Sequence, residues 1–73
     1  MATDMAATSL SERFGARVRD LREQRSLTQT DLAKLIGMRQ PDLCDLEKGR
    51  HSPTLSTIER IAKALHVAAS DLI

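Results

Sequence analysis

The sequence predicts a small all-α protein, and three observations support this. Apolar residues recur at spacings of three and four, Ser and Thr residues stand where helices would begin, and no run of β-branched residues alternates with polar ones. The 73 residues are 41% apolar and 29% charged, an ordinary composition for one compact domain. We therefore expect a single domain over residues 9–73 behind a flexible tail, residues 1–8.

The first two helices are predicted from capping signals and apolar stripes. Ser9 and Glu12 have the spacing of a capping box, in which each side chain meets the other residue's backbone N–H. Four apolar residues then follow at helical spacing: Leu10, Phe14, Val18 and Leu21. Thr28 and Asp31 repeat the cap signal, and Gly37 ends a second helix that is too short to be stable without packing partners.

The third helix begins near Gln40 and ends at Gly49. Pro41 is compatible with it because the first turn of a helix has no use for the missing N–H. The second and third helices are joined through Gly37 and Met38 with no room for a long loop, which predicts a helix-turn-helix unit. In such a unit the first helix lies across the DNA backbone, and the second places its N-terminal residues in the major groove. Many small helical bundles share this spacing, however.

The fourth helix is predicted from a capping box of Ser56 and Glu59 and from an apolar stripe. The residues of the stripe are Leu55, Ile58, Ile61, Ala62 and Leu65. His66 follows where a helix-ending Gly is more comfortable, and residues 70–73 suggest a last short turn.

Composition argues against several functional classes. A single aromatic residue, Phe14, does not favour base-stacking platforms for single strands. The lone Cys44 cannot form an internal disulfide or a cysteine-built zinc site, so it is either a packed small side chain or a redox sensor. His51 and His66 have no ligand or base cluster beside them. No metal, cofactor or catalytic function is expected, because no set of catalytic groups can be assembled.

Charge and hydropathy say little about partners. The net charge is +1, which is not that of a polycation. No apolar run approaches the roughly 18 residues of a membrane span, and the N-terminus lacks the basic start of a secretion signal. We expect a cytoplasmic protein with no membrane partner.

Several separated motifs resemble the phage-repressor and Cro-like helix-turn-helix family, also called the xenobiotic-response-element family. They are Thr28-Gln29, Leu32-Ala33, Gly37, Leu46-Glu47-x-Gly49, Pro53 and Ala62-x-x-Leu65. The resemblance runs from about Arg17 to Ile73. It implies a five-helix, lambda-repressor-like bundle that binds double-stranded DNA, usually as a homodimer on a near-palindromic operator.

The resemblance also implies roles for individual residues, with a recognition helix at about 39–48. The base-facing positions are Arg39, Gln40, Pro41 and Asp45. The phosphate-side positions are Thr28, Gln29, Asp42, Lys48 and Arg50. Arg22 and Glu47 match a partly buried ion pair of the family. The alternative to a DNA contact at each of these polar positions is an ordinary solvated helix residue without a function.

The chemistry of the base-facing residues suits these roles to different degrees. Gln40 can make a bidentate contact to adenine, and Arg39 can contact guanine or a phosphate. Asp45 only accepts hydrogen bonds, so it favours a cytosine amino group and repels phosphate. Asp42, Asp45 and Pro41 depart from the polar or basic residues that are commoner in the family, and the two carboxylates are either affinity-lowering or specificity devices.

The leading hypothesis is a small transcriptional repressor, and restriction–modification controller proteins resemble this size and layout. The dimer candidates are Leu55, Leu72 and Ile73, which alternatively belong to the core. An antitoxin or other protein-interaction module of the same fold is the competing hypothesis, with a toxin or RNA polymerase as the partner.

Overall fold

The computed structural model describes residues 9–73, and the predicted tail, residues 1–8, lies outside that range. The described chain forms helices and no strand, which confirms the all-α prediction. Its α-helices are α1 (Leu10–Gln24), α2 (Gln29–Ile36), α3 (Gln40–Glu47) and α4 (Leu55–Leu65), followed by a 3-10 helix, Ala69–Leu72. None of the described helices is long and apolar enough to cross a membrane.

The expectation of five α-helices is wrong for residues 9–73, where four are followed by a 3-10 turn. After α4 the chain closes a single turn, in which the Asp71 amide donates to the Ala68 carbonyl at 2.9 Å. This i-to-i+3 pattern is the 3-10 geometry, which proteins use in short pieces. Arg17 Nε of α1 donates to the Asp71 carbonyl at 3.0 Å, so the turn is fastened to the first helix.

Helix ends follow the predicted caps except at α4. The capping boxes of α1 and α2 are both present. The N-cap of α4 is Thr54, whose hydroxyl accepts from the Thr57 amide at 3.1 Å. The predicted box of Ser56 and Glu59 is therefore wrong, because Ser56 already lies in the first turn. At the other end His66 adopts the left-handed conformation, with φ 58°, where a Gly was expected to be more comfortable.

One apolar core is shared by all the described helices. Its members are Phe14, Val18, Leu21, Leu32, Ala33, Ile36, Leu43, Leu46, Ile61, Ala62, Leu65 and Leu72. Leu72 is only 2% exposed, so it lies in this core, the alternative to a dimer contact for this residue. Leu55 and Ile73 remain 79% and 63% exposed.

The backbones of α1 and α3 touch at Gly15. A Cβ atom added there would meet the carbonyl oxygen of Leu46 and would lie 2.6 Å from that of Glu47. These are backbone atoms, which cannot rotate aside as a side chain can. The absence of a side chain at Gly15 therefore sets how closely α1 approaches the end of α3.

Candidate nucleic-acid interface

The turn between α2 and α3 is fixed by contacts at both of its sides. Gly37 takes the left-handed conformation, with φ 69°, and the Met38 amide donates to the Ala33 carbonyl at 2.9 Å. From α4, Arg60 Nη1 donates to the Ile36 carbonyl at 2.9 Å. The Ala33 and Ile36 carbonyls at the end of α2 thus have hydrogen-bond partners, and α3 leaves the turn in a defined direction.

The first turn of α3 is open to solvent. Arg39 is the N-cap residue, and no side chain makes a capping hydrogen bond there. Gln40 and Pro41 follow, and both side chains are exposed. The N-terminal N–H groups of α3 thus have no side-chain cap, although the carboxylate of Asp42 lies in the same first turn.

Beneath this surface lies a buried ion pair between α1 and α3. Arg22 Nε donates to Glu47 Oε2 at 2.7 Å, and Arg22 Nη2 donates to Glu47 Oε1 at 3.1 Å. The two side chains are only 10% and 2% exposed. Hydrogen bonding to Glu47 raises the pKa of the Arg22 guanidinium, which therefore stays charged. Arg22 Nη1 also donates to the Leu27 carbonyl at 2.8 Å, so the same guanidinium fixes the segment between α1 and α2.

A chain of side-chain amides connects this ion pair to the surface. Gln29 Nε2 donates to Glu47 Oε1 at 2.9 Å, and Gln40 Nε2 donates to Gln29 Oε1 at 2.7 Å. We call Glu47, Gln29 and Gln40 the amide chain. Because a carboxylate can only accept, Gln29 must turn its NH₂ group toward Glu47 and its oxygen toward Gln40. The buried charge thereby determines the orientation of an exposed amide.

Two exposed ion pairs, which we call the flanking pairs, connect α3 with the arginines at its ends. Arg39 Nε lies 3.4 Å from Asp42 Oδ2, and Arg50 Nη1 lies 3.6 Å from Asp45 Oδ1. The Arg50 amide also donates to the Asp45 carbonyl at 2.9 Å. Both arginines predicted to touch DNA therefore face a carboxylate of α3.

The remaining predicted residues occupy simpler positions. Thr28 caps α2, and its hydroxyl oxygen accepts from the Asp31 amide at 3.0 Å. Lys48 is the exposed C-cap residue of α3, and Cys44 is a partly exposed free thiol. Among residues 9–73, no group of three or more His, Cys, Asp and Glu residues is placed to hold a metal ion.

Sequence reasoning did not single out two residues that position this surface. Gly15 brings α1 against α3, and the signal for it was present as a glycine inside a helical pattern. Arg60 fastens α4 to the end of α2, and it is also within 3.3 Å of the Thr57 hydroxyl. Nothing in the sequence distinguishes Arg60 from other exposed helix arginines.

Two short helices, a tight turn and an exposed polar second helix define a helix-turn-helix domain. The chain belongs to the helix-turn-helix domain family, whose model matches residues 13–72. The Bacillus phage phi105 immunity repressor is 37% identical over 59 residues, which cover 81% of this chain and 41% of the phage protein. The cryptic phage CTXphi transcriptional repressor RstR of Vibrio cholerae is 38% identical over 60 residues, 82% of this chain and 54% of RstR.

A solved structure shows the same fold. The restriction–modification controller protein C.AhdI of Aeromonas hydrophila superposes with a TM-score of 0.82 at 32% identity, covering 85% of this chain and 94% of that one. The chain spans 41% to 57% of the length of the first curated relatives it matches. The family match and the shared fold thus establish a helix-turn-helix domain over residues 13–72.

Proposed function

We propose that the protein is a sequence-specific repressor that binds a near-palindromic operator as a homodimer, with α3 in the major groove. The observation that carries this proposal is the amide chain, which ends in an exposed Gln40 at the open N-terminus of α3. With one Nε2 hydrogen given to Gln29, Gln40 keeps an N–H donor and a carbonyl acceptor. That pair matches the N7 acceptor and N6 donor of adenine.

The phosphate contacts proposed around this amide are of two kinds. Gln29 has a second Nε2 hydrogen, and Thr28 has a hydroxyl, at the N-terminus of α2, where the helix dipole favours an anion. Lys48 and Arg50 lie at the opposite end of α3 and supply positive charge. Phosphates held at both ends would place the helix along the groove, which is what positions a base-reading side chain.

An apolar surface beside α4 supports the homodimer. Leu10, Pro53, Ile58 and Ile73 line a groove, and Leu55 lies one helical turn before Ile58. Leu55 and Ile73 are the exposed large apolar residues of this surface that we assign to the dimer. A twofold pairing there would present two copies of α3 to half-sites about 34 Å apart.

The test is selection of bound duplexes from a random pool by the purified protein at physiological salt. We expect an enriched palindrome with half-sites about one helical turn apart. A Leu55→Glu/Ile73→Glu variant should remain folded by circular dichroism and sediment as a monomer. Its operator affinity should fall while its half-site contacts persist at high protein concentration.

Other results would redirect the proposal. A single enriched half-site would contradict the dimer. No enrichment by folded protein would contradict autonomous operator binding and favour the alternative, a module whose partner is a toxin or RNA polymerase. Leu35→Glu, at another exposed leucine on α2, controls for the effect of one added charge and is compared with Leu55→Glu alone.

A further inference from the structure

The flanking pairs neutralise the two arginines that the sequence predicts to contact DNA. Arg39 and Arg50 stand at opposite ends of α3, and each lies within 3.6 Å of an α3 carboxylate. All four side chains are substantially exposed, at 83% and 48% for Arg39 and Asp42 and at 65% and 50% for Arg50 and Asp45. They are therefore free to exchange partners when a polyanion approaches.

We propose that Asp42 and Asp45 are specificity-determining residues, which withhold Arg39 and Arg50 from DNA of arbitrary sequence. This inference rests on the proposed function and assigns the carboxylates a role within it. Any duplex can offer a phosphate to an arginine, but the exchange leaves a carboxylate facing the DNA. Only a sequence that offers this carboxylate a donor compensates the loss.

The chemistry of the freed carboxylate defines the base it selects. Asp45 follows Gln40 by five residues on α3, about 1.4 helical turns, and a carboxylate only accepts hydrogen bonds. In the major groove the cytosine N4 amino group is the donor that a carboxylate selects. Guanine and thymine present no donor there, and adenine places its N7 acceptor beside the N6 donor, so Asp45 is poorly paired at these bases and repels the phosphates.

Exposed ion pairs are weak, which sets the size of the effect. Each flanking pair is solvent-screened, so its exchange changes affinity by a small factor and not by orders of magnitude. We expect Asp45→Asn to raise the affinity for random duplexes about three- to tenfold at low salt. The slope of log affinity against log salt should steepen by about one unit, since one more positive charge acts on the phosphates.

The experiment measures fluorescence anisotropy of a random duplex and of the selected operator with wild-type protein, Asp45→Asn, Arg50→Gln and the double variant. Asp20→Asn is the matched control, because it makes the same charge change on the exposed face of α1. The inference expects Asp45→Asn to gain more on random DNA than on the operator. It also expects this gain to shrink when Arg50 is replaced.

Three results would overturn it. Equal gains in affinity for the random duplex and the operator would show that Asp45 does not determine specificity. An equal gain in affinity for Asp20→Asn would show that the effect comes from net charge alone. If Asp45→Asn raises affinity by the same factor in the Arg50→Gln background, Asp45 acts by repelling phosphates directly and not by withholding Arg50. Random-duplex affinity with and without Arg50 tests whether the carboxylate withholds the arginine, whether or not an operator is found. Failure to select an operator contradicts the proposed function.

Discussion

Gln40 of α3 donates its side-chain amide to Gln29 of α2 at 2.7 Å, so the two helices of the helix-turn-helix share one polar unit. Gln29 is in turn held by Glu47, whose carboxylate is paired with Arg22 beneath the surface. The rotamer of an exposed glutamine is thereby restricted before any ligand arrives. Such restriction lowers the conformational entropy that binding would otherwise cost.

Gln40→Ala should relax discrimination at one base pair per half-site. The loss should be about 1–3 kcal/mol against the preferred base and little on random DNA. Lys48→Ala, at the other end of α3, should instead weaken all duplexes similarly and reduce the salt slope by about one. Binding titrations on the selected operator and its single-base variants distinguish the two. If both variants lose the same affinity on every duplex, α3 is not the reading helix.

Glu47→Gln should destabilise the fold by about 3–5 kcal/mol, because it leaves the buried guanidinium of Arg22 without its counter-charge. Urea unfolding monitored by circular dichroism measures the change.

A double variant, Arg22→Met/Glu47→Leu, separates stability from DNA reading. It removes both charges and should recover most of the stability, since apolar residues often replace a buried pair at no net cost. Gln29 then loses its anchor, so operator affinity should remain reduced although the fold is restored. Full operator affinity in the double variant would show that the amide chain does not need its buried end.

Gly15→Ala should cost about 3 kcal/mol, at the upper end for overpacking, because the added methyl group meets backbone carbonyls of α3. The neighbouring Ala16→Gly is the control at an exposed helical position and should cost only about 0.5–1 kcal/mol. Urea midpoints of the two variants give the comparison. A mild Gly15→Ala would mean that α1 and α3 can separate without penalty.

Acid should weaken the cap of α2. The backbone amide of Thr28, and then its hydroxyl, stabilise the Asp31 carboxylate and lower its pKa in the folded protein. The resulting stabilisation is present above the ordinary carboxyl pKa of the unfolded chain and is lost as the pH falls through the lowered folded value. Stability measured between about pH 5 and pH 2 should therefore fall less steeply in Asp31→Asn than in wild type. The control is Asp20→Asn, which makes the same substitution at an exposed acid outside any cap of the described structure.

Local signals in the sequence were sufficient for most of the architecture. Thr28 with Asp31 predicted the start of α2, and Gly37 predicted its end, because each sets a backbone conformation within a few residues. The same reasoning failed at α4, where Ser56 and Glu59 have the spacing of a cap but Thr54 provides it. Thr54 and Ser56 are both residue types that cap helices, and the structure shows that Thr54, directly before the apolar stripe, is the N-cap.

Long-range contacts were not accessible to such reasoning. The amide chain joins Gln29 and Gln40 to Glu47, and its orientation depends on which atoms face each other after folding. The Arg50–Asp45 pair likewise depends on how the chain turns after α3, whereas Arg39 and Asp42 are only three residues apart at its start. Leu72 has the same apolar character as Ile73, and only packing shows that the first is buried and the second exposed.

The hydrogen bond from Arg60 to the Ile36 carbonyl has a consequence for operator geometry. It fastens the turn before α3 to the helix that carries Leu55, so one rigid body bears both the proposed dimer contact and the DNA-facing helix. In the proposed dimer there is then no hinge to absorb a change of half-site separation. Inserting two base pairs at the operator centre rotates one half-site by about 70° around the duplex, given 10–10.5 base pairs per turn, and only one copy of α3 can remain in register. In the proposed dimer, the rigidity of each subunit thus fixes the rotation about the duplex axis that is allowed between the two half-sites.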